Sequence, residues 1–127
     1  MVRIYLAIVG VIYVVLALWC ATDPEGTAKS VGFSLTQGSG ESEYFTVYVG
    51  LQLALGVVFL LPLIRPEQTS YALQCCLVVF AGLVLCRTIA FLRFSGIQTP
   101  TYMLAAAEWF VLLVGVAVWK MDAKGKT

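Results

Sequence analysis

Histidine is absent from the 127 residues. That removes the side chain that titrates nearest neutral pH and the commonest metal ligand. Charge is scarce: 12% of residues are Asp, Glu, Lys or Arg, and the net charge is +1. So small an excess leaves no electrostatic footprint for nucleic acid. The four cysteines, Cys20, Cys75, Cys76 and Cys86, lie in apolar runs with no C-x-x-C spacing, and they read as small buried hydrophobes. Cys75 and Cys76 are adjacent and point about 100° apart on a helix, which argues against a redox pair. No metal, no cofactor and no catalytic residue set is expected from this inventory.

Apolar side chains are what the sequence has in excess, at 61% of residues. A soluble domain is about half apolar and about a quarter charged, so lipid is the expected solvent. The length suits one domain, 1–127. Four runs carry the apolar residues, at about 4–21, 44–64, 71–92 and 102–121. Each is long enough to cross a bilayer as a helix. The expected fold class is therefore all-α: an integral membrane up-down four-helix bundle. Arg3 precedes the first run, which raises the question of a signal peptide. Leu18-Trp19-Cys20 is a poor lipoprotein cleavage site, because Trp is too bulky beside the cysteine. The run reads as a helix that stays.

The polar stretch from Thr22 to Ser42 joins the first two runs. Within it, Asp23-Pro24-Glu25 has the order of a helix start: cap, proline, first-turn acid. A short helix from Pro24 to about Val31 is expected to stop at Gly32. Ala28, Val31, Phe33 and Leu35 would supply its apolar side. Gln37-Gly38-Ser39-Gly40 reads as a turn. The later connections, Arg65–Ser70 and Arg93–Pro100, are short, so consecutive spans are antiparallel neighbours.

Four spans place both termini on one side. That side collects Arg3, Arg65, Lys120, Lys124 and Lys126; the other has Lys29 and Arg93 with Asp23, Glu25, Glu41 and Glu43. By the positive-inside rule both termini are cytoplasmic and the long first loop is outside. Tyr5, Tyr71 and Trp119 mark the inner boundary, and Trp19, Tyr44 and Tyr102 the outer one.

The second run has two unlike faces. Glu41, Tyr44, Tyr48, Gln52 and Gly56 share one side; Glu43, Thr46, Gly50 and Ala54 share the other. Gly50 and Ala54 on the second face, with Gly10, Gly56, Gly82, Ala105 to Ala107 and Gly115, read as close-packing sites; Gly50 and Ala54 could support dimerisation, and packing inside the bundle is the better reading of them. Arg87 lies roughly 8–10 Å from the outer end of the third span, and Glu108 at a similar depth in the fourth. An intramembrane charge is costly unless paired or hydrated. Glu43, Arg87 and Glu108, with Tyr44, Tyr48 or Gln52 nearby, are the expected polar cluster in the outer half of the bundle. The plainest reading of it is a clasp between helices. A ligand or ion pocket open to the outside comes next, and a catalytic acid or base last, since no nucleophile accompanies it.

The chain resembles an uncharacterised bacterial family of four-helix membrane proteins, catalogued as domain of unknown function 4345. The resemblance rests on Ile4-Tyr5-Leu6, Gly10 and Tyr13, on Val31-Gly32-Phe33, and on Glu43-Tyr44-Phe45-x-x-Tyr48-x-Gly50-Leu51. Gly82-x-x-x-Cys86-Arg87 and Glu108 complete it, while Val49 and Cys86 stand where the family often has glycine. A looser likeness, to DoxX-like proteins, is one of fold. The resemblance implies a bacterial cytoplasmic (inner) membrane protein and singles out Glu43, Arg87 and Glu108; it implies no activity. The reading that follows is a non-enzymatic subunit or assembly factor of a membrane complex. Membrane lipids, a membrane-protein partner or a second copy are its expected partners. The alternative is a lipid or small-molecule binder, or carrier, with a pocket of Glu43, Arg87 and Glu108 among the second, third and fourth spans. A lipid-modifying enzyme is the third reading.

Overall fold

A computed structural model describes residues 1–124, and these contain helices and connecting turns with no strand. Lys126, expected among the inner cations, lies outside the described residues. The first span is α1 (Val2–Thr22). A short helix, α2 (Pro24–Ser30), follows it. The second span is composite: α3 (Ser39–Tyr44), a π-helical segment (Phe45–Leu51), α4 (Gln52–Leu60) and a closing 3₁₀ turn (Leu61–Leu63). The third span is α5 (Thr69–Arg93) and the fourth α6 (Thr99–Lys124). All four are long and apolar enough to cross a membrane, so the all-α membrane architecture expected from the sequence is the one observed.

Helix starts and stops follow local chemistry. Asp23 caps α2, its Oδ1 accepting from the Gly26 N–H at 3.0 Å, with Pro24 at the first helical position. The chain leaves α2 through Gly32, whose φ of +85° is the left-handed region that glycine adopts without a Cβ penalty. The second span begins earlier than its apolar run suggests. Glu41 Oε2 accepts from the Gly38 N–H at 2.8 Å, so Ser39 to Ser42 are helical rather than loop. Hydropathy cannot see a cap made by residues that are themselves polar.

The first two spans pack most closely, and the third and fourth form the second tight pair. Contact between the second and third spans comes from α4 and its 3₁₀ turn rather than from the π segment. Leu6, Val9, Phe59, Cys76 and Phe80 fill the centre. Tyr13 sets its ring edge-on to Phe59 at 5.4 Å and to Phe80 at 5.9 Å. Nearer the end that holds the N-terminus, the Tyr5 hydroxyl donates to the Val111 carbonyl at 2.9 Å and lies 3.6 Å from Cys76 Sγ. Three spans meet at that hydroxyl. Gly115 makes room for it: a Cβ there would lie 2.5 Å from Tyr5 Oη.

Not every small residue packs inside. Gly10, Gly56, Gly115 and Ala105 are buried, but Gly50, Ala54, Gly82, Ala106 and Ala107 are exposed. A Cβ on Gly50 or Gly82 would meet nothing within 4 Å. The expectation that Gly50 and Ala54 bring a neighbouring helix close within the bundle is therefore wrong. The close approach is made from the opposite face, by Gly56 against Gly10.

Candidate functional site

Arg87 and Glu108 meet across the α5–α6 interface. Arg87 Nε donates to Glu108 Oε2 at 2.5 Å, and Nη2 donates to Oε1 at 2.6 Å. This is a side-on, two-bond pairing, the strongest geometry available to an arginine and a carboxylate. The carboxylate side chain is 8% exposed and the arginine 23%. Both carboxylate oxygens accept from the guanidinium, so Glu108 is held as an arginine partner.

The pairing follows from helix register. Arg87 lies on the α5 face that buries Phe80 and Val84. Glu108 lies one helical turn after the buried Ala105 of α6. The short connection brings both to one depth. The matched depths read from the sequence thus correspond to a direct contact.

The remaining expected members divide. Tyr48 is half-buried and within electrostatic range of Arg87, with no hydrogen bond to it. Its ring stacks on Tyr44, centroids 4.4 Å apart. Gln52 is half-buried one turn further along the same face and makes no hydrogen bond to the pair. Glu43 is not part of the cluster. It is exposed, on the side of the second span that carries Thr46, Gly50 and Ala54. Depth alone nominated it, and helix periodicity turns it about 100° from the buried Tyr44. Among the described residues, no second acceptor completes the arginine's donors.

Tyr13 is the residue that depth arguments missed; it lies within electrostatic range of Glu108. The signal was present, since Tyr5, Val9 and Tyr13 recur every four residues on the face of α1 that also buries Leu6.

A cavity of about 260 Å³ opens beside the pair, with Arg87 on its floor. Val31 and Gly32 form one wall, and Ala90, Phe94 and Thr101 are among the residues of the other. It lies between the third and fourth spans and the turn after α2. The second span does not line it, contrary to the pocket expected among the second, third and fourth spans. The cause is the turn itself. Tyr44 Oη donates to Thr27 Oγ1 at 3.0 Å and lies 3.6 Å from Cys20 Sγ. The Thr27 hydroxyl in turn donates to the Asp23 carbonyl at 2.6 Å. Phe33 sets its ring edge-on to Tyr44 and Tyr48. Leu35 packs on the same cluster. Phe33 stays 47% exposed, so it edges the aromatic pair and is not inserted, as Leu35 is. These contacts hold α2 and its turn against the second span, leaving the far edge of the turn to wall the cavity.

The fold and site define a small helical protein with four apolar spans and a part-buried ion pair whose arginine lines an open cavity. The chain belongs to the family described as Domain of unknown function (DUF4345), whose model matches residues 1–119. No curated protein and no solved structure matches it, so the looser DoxX-like likeness has no support from either comparison.

Proposed function

We propose that the protein is a non-enzymatic binder of a small polar-headed molecule, taken up in the cavity floored by Arg87. One observation carries this reading. The guanidinium is locked to Glu108 by its side-on fork, yet its remaining N–H groups belong to a side chain that lines an open cavity. A clasp alone needs no opening, whereas a charged group presented in a concavity with apolar side chains on its walls is the usual form of a ligand site. The engaged carboxylate argues against acid–base chemistry there. In the orientation that the charges favour, with both termini cytoplasmic in a bacterial inner membrane, the cavity faces outward.

Native mass spectrometry of the protein extracted in mild detergent tests this. A non-protein adduct is expected on the wild type. It should vanish in Ala90→Phe, which fills the cavity wall one turn from Arg87 and keeps both partners of the ion pair. An adduct that Ala90→Phe leaves in place, or a wild type that carries none, would sink the reading.

A second reading, an accessory subunit or assembly factor of a larger membrane complex, is favoured by the outward small residues. Gly50, Ala54 and Gly82 are the residue types that let helices approach closely in lipid, and all three are exposed among the described residues. Co-purification of a stable partner that is lost in Gly50→Leu would support it; a partner retained in that variant would not.

A further inference from the structure

We infer that the outer cavity is selective for a lipid with a net-anionic phosphodiester headgroup, gripped end-on by Arg87. This rests on the ligand-binding reading above and names the ligand's class.

A guanidinium has two forks of N–H donors, one from Nε and Nη2 and one from Nη1 and Nη2. Glu108 takes the first. Among the described residues nothing accepts from Nη1, and no buried side-chain nitrogen or oxygen lacks a partner. The unused fork therefore reaches the cavity, where Arg87 is on the floor. A phosphodiester offers two non-bridging oxygens with the spacing that such a fork fits.

Charge selects the headgroup. Glu108 neutralises Arg87. Arg93 is not in the lining but lies next to it, its guanidinium 5.9 Å from the ring centre of Phe94, which lines the cavity. Among the described residues Arg93 makes no ion pair, so one positive charge beside the cavity is left for a monoanion to balance. No acidic side chain lines the cavity, so the ammonium of a zwitterionic lipid would find no partner there.

The walls select a lipid over a free anion. Ala90, Phe91, Phe94 and Ile97 give the cavity an apolar flank. Phe94 is also 61% exposed, so this apolar flank continues onto the protein's surface at the end of the third span. Inorganic phosphate gains nothing from it. The volume, about 260 Å³, falls just below the roughly 300–1,000 Å³ of whole-ligand pockets, which suits a headgroup whose chains remain in the bilayer.

The test is competition on the delipidated protein in detergent, read by native mass spectrometry. The probes are phosphatidylglycerol, phosphatidylethanolamine and inorganic phosphate. Phosphatidylglycerol should bind about tenfold tighter than phosphatidylethanolamine, the worth of one unpartnered charge near a surface or somewhat more. Arg93→Gln should weaken phosphatidylglycerol about fivefold with no change in melting temperature. Arg87→Lys should weaken it more, because a point ammonium cannot serve Glu108 and a phosphate as two forks do. Arg93→Gln and Ala90→Phe keep the test decisive if Arg87→Lys fails to fold. Equal affinity for the two lipids, or no effect of Arg93→Gln, would overturn the headgroup assignment. Displacement of the lipid by inorganic phosphate at equal concentration would assign the site to a soluble anion. Either of those results, with adducts still sensitive to Ala90→Phe, would leave the ligand-binding reading standing. Lipid binding that Ala90→Phe does not change would remove both.

Discussion

Gly10 and Gly56 lie against each other's backbones where the first two spans cross. A Cβ on Gly10 would sit 3.0 Å from the Gly56 carbonyl oxygen, and one on Gly56 would sit 3.2 Å from that of Gly10. Each would also crowd a side chain, Leu60 Cγ at 2.7 Å or Val14 Cγ2 at 2.9 Å. The tightest helix pair of the bundle is built on this absence of side chains.

Gly56→Ala and Gly10→Ala should therefore each destabilise the protein by about 1–3 kcal/mol, the range for overpacking a close contact. Backbone atoms are among those that must move, so relaxation is limited. Gly50→Ala and Gly82→Ala meet open space and should be neutral or stabilising by about 0.5–1 kcal/mol, through higher helix propensity. Thermal unfolding in detergent, followed by circular dichroism, separates the two pairs. Equal losses at all four positions would show that the exposed glycines are packed after all.

The spans were legible because hydrophobic excess and length act locally. The cap at Asp23 and the stop at Gly32 were legible for the same reason. The faces of the second span were also readable: Tyr44, Tyr48, Gln52 and Gly56 do turn inward. Which face a neighbouring helix would choose was not. Gly50 with Ala54 and Gly56 offered equivalent small surfaces, and the choice depended on Gly10, in another helix. Arg87 and Glu108 were legible as a pair because the loop between their helices is short and an unpaired charge is costly in lipid. Glu43 was misplaced because depth was weighed and azimuth was not. The cavity wall depended on a tertiary hydrogen bond, Tyr44 to Thr27, which no local pattern announces.

That hydrogen bond yields the second prediction. Tyr44→Phe removes the donor to Thr27 Oγ1 and leaves the Thr27 bond to the Asp23 carbonyl intact. The loss should be about 1 kcal/mol, the net worth of one neutral hydrogen bond. It should fall on the α2 strap. Hydrogen exchange should accelerate in Pro24–Ser30 and the following turn, while the amides of α5 and α6 stay protected. Uniform acceleration across the bundle would mean that Tyr44 supports the whole fold.

Orientation gives the third. Arg3, Arg65, Lys120 and Lys124 lie at one end of the described bundle, against Lys29 and Arg93 at the other. The positive-inside rule puts the richer end in the cytoplasm. In a cysteine-free background, a membrane-impermeant maleimide applied from outside should label Gly38→Cys and spare Gln68→Cys. The reverse pattern would invert the protein and place the cavity at the inner leaflet.

The last prediction concerns the ion pair as a structural unit. Removing either partner strands the other, but the two partners are not equally exposed. Glu108 is nearly buried, at 8%, whereas Arg87 at 23% already reaches the cavity. Arg87→Met leaves a nearly buried carboxylate in the bundle without its cation. Its cost should approach the roughly 3–5 kcal/mol of a broken buried pair. Glu108→Leu leaves an arginine whose long stem can carry its head toward the cavity mouth and water. Its cost should be visibly smaller. The double variant, Arg87→Met with Glu108→Leu, removes both charges and should recover much of the Arg87→Met loss, since apolar replacement of a whole buried pair is often neutral or better. Unfolding of the three variants and the wild type in one detergent, without added lipid, measures the coupling directly. Additive losses would show that the pair contributes little to holding α5 to α6. Recovery of stability in the double variant, together with loss of the Ala90→Phe-sensitive adduct, would separate what the pair does for the fold from what Arg87 does for a ligand.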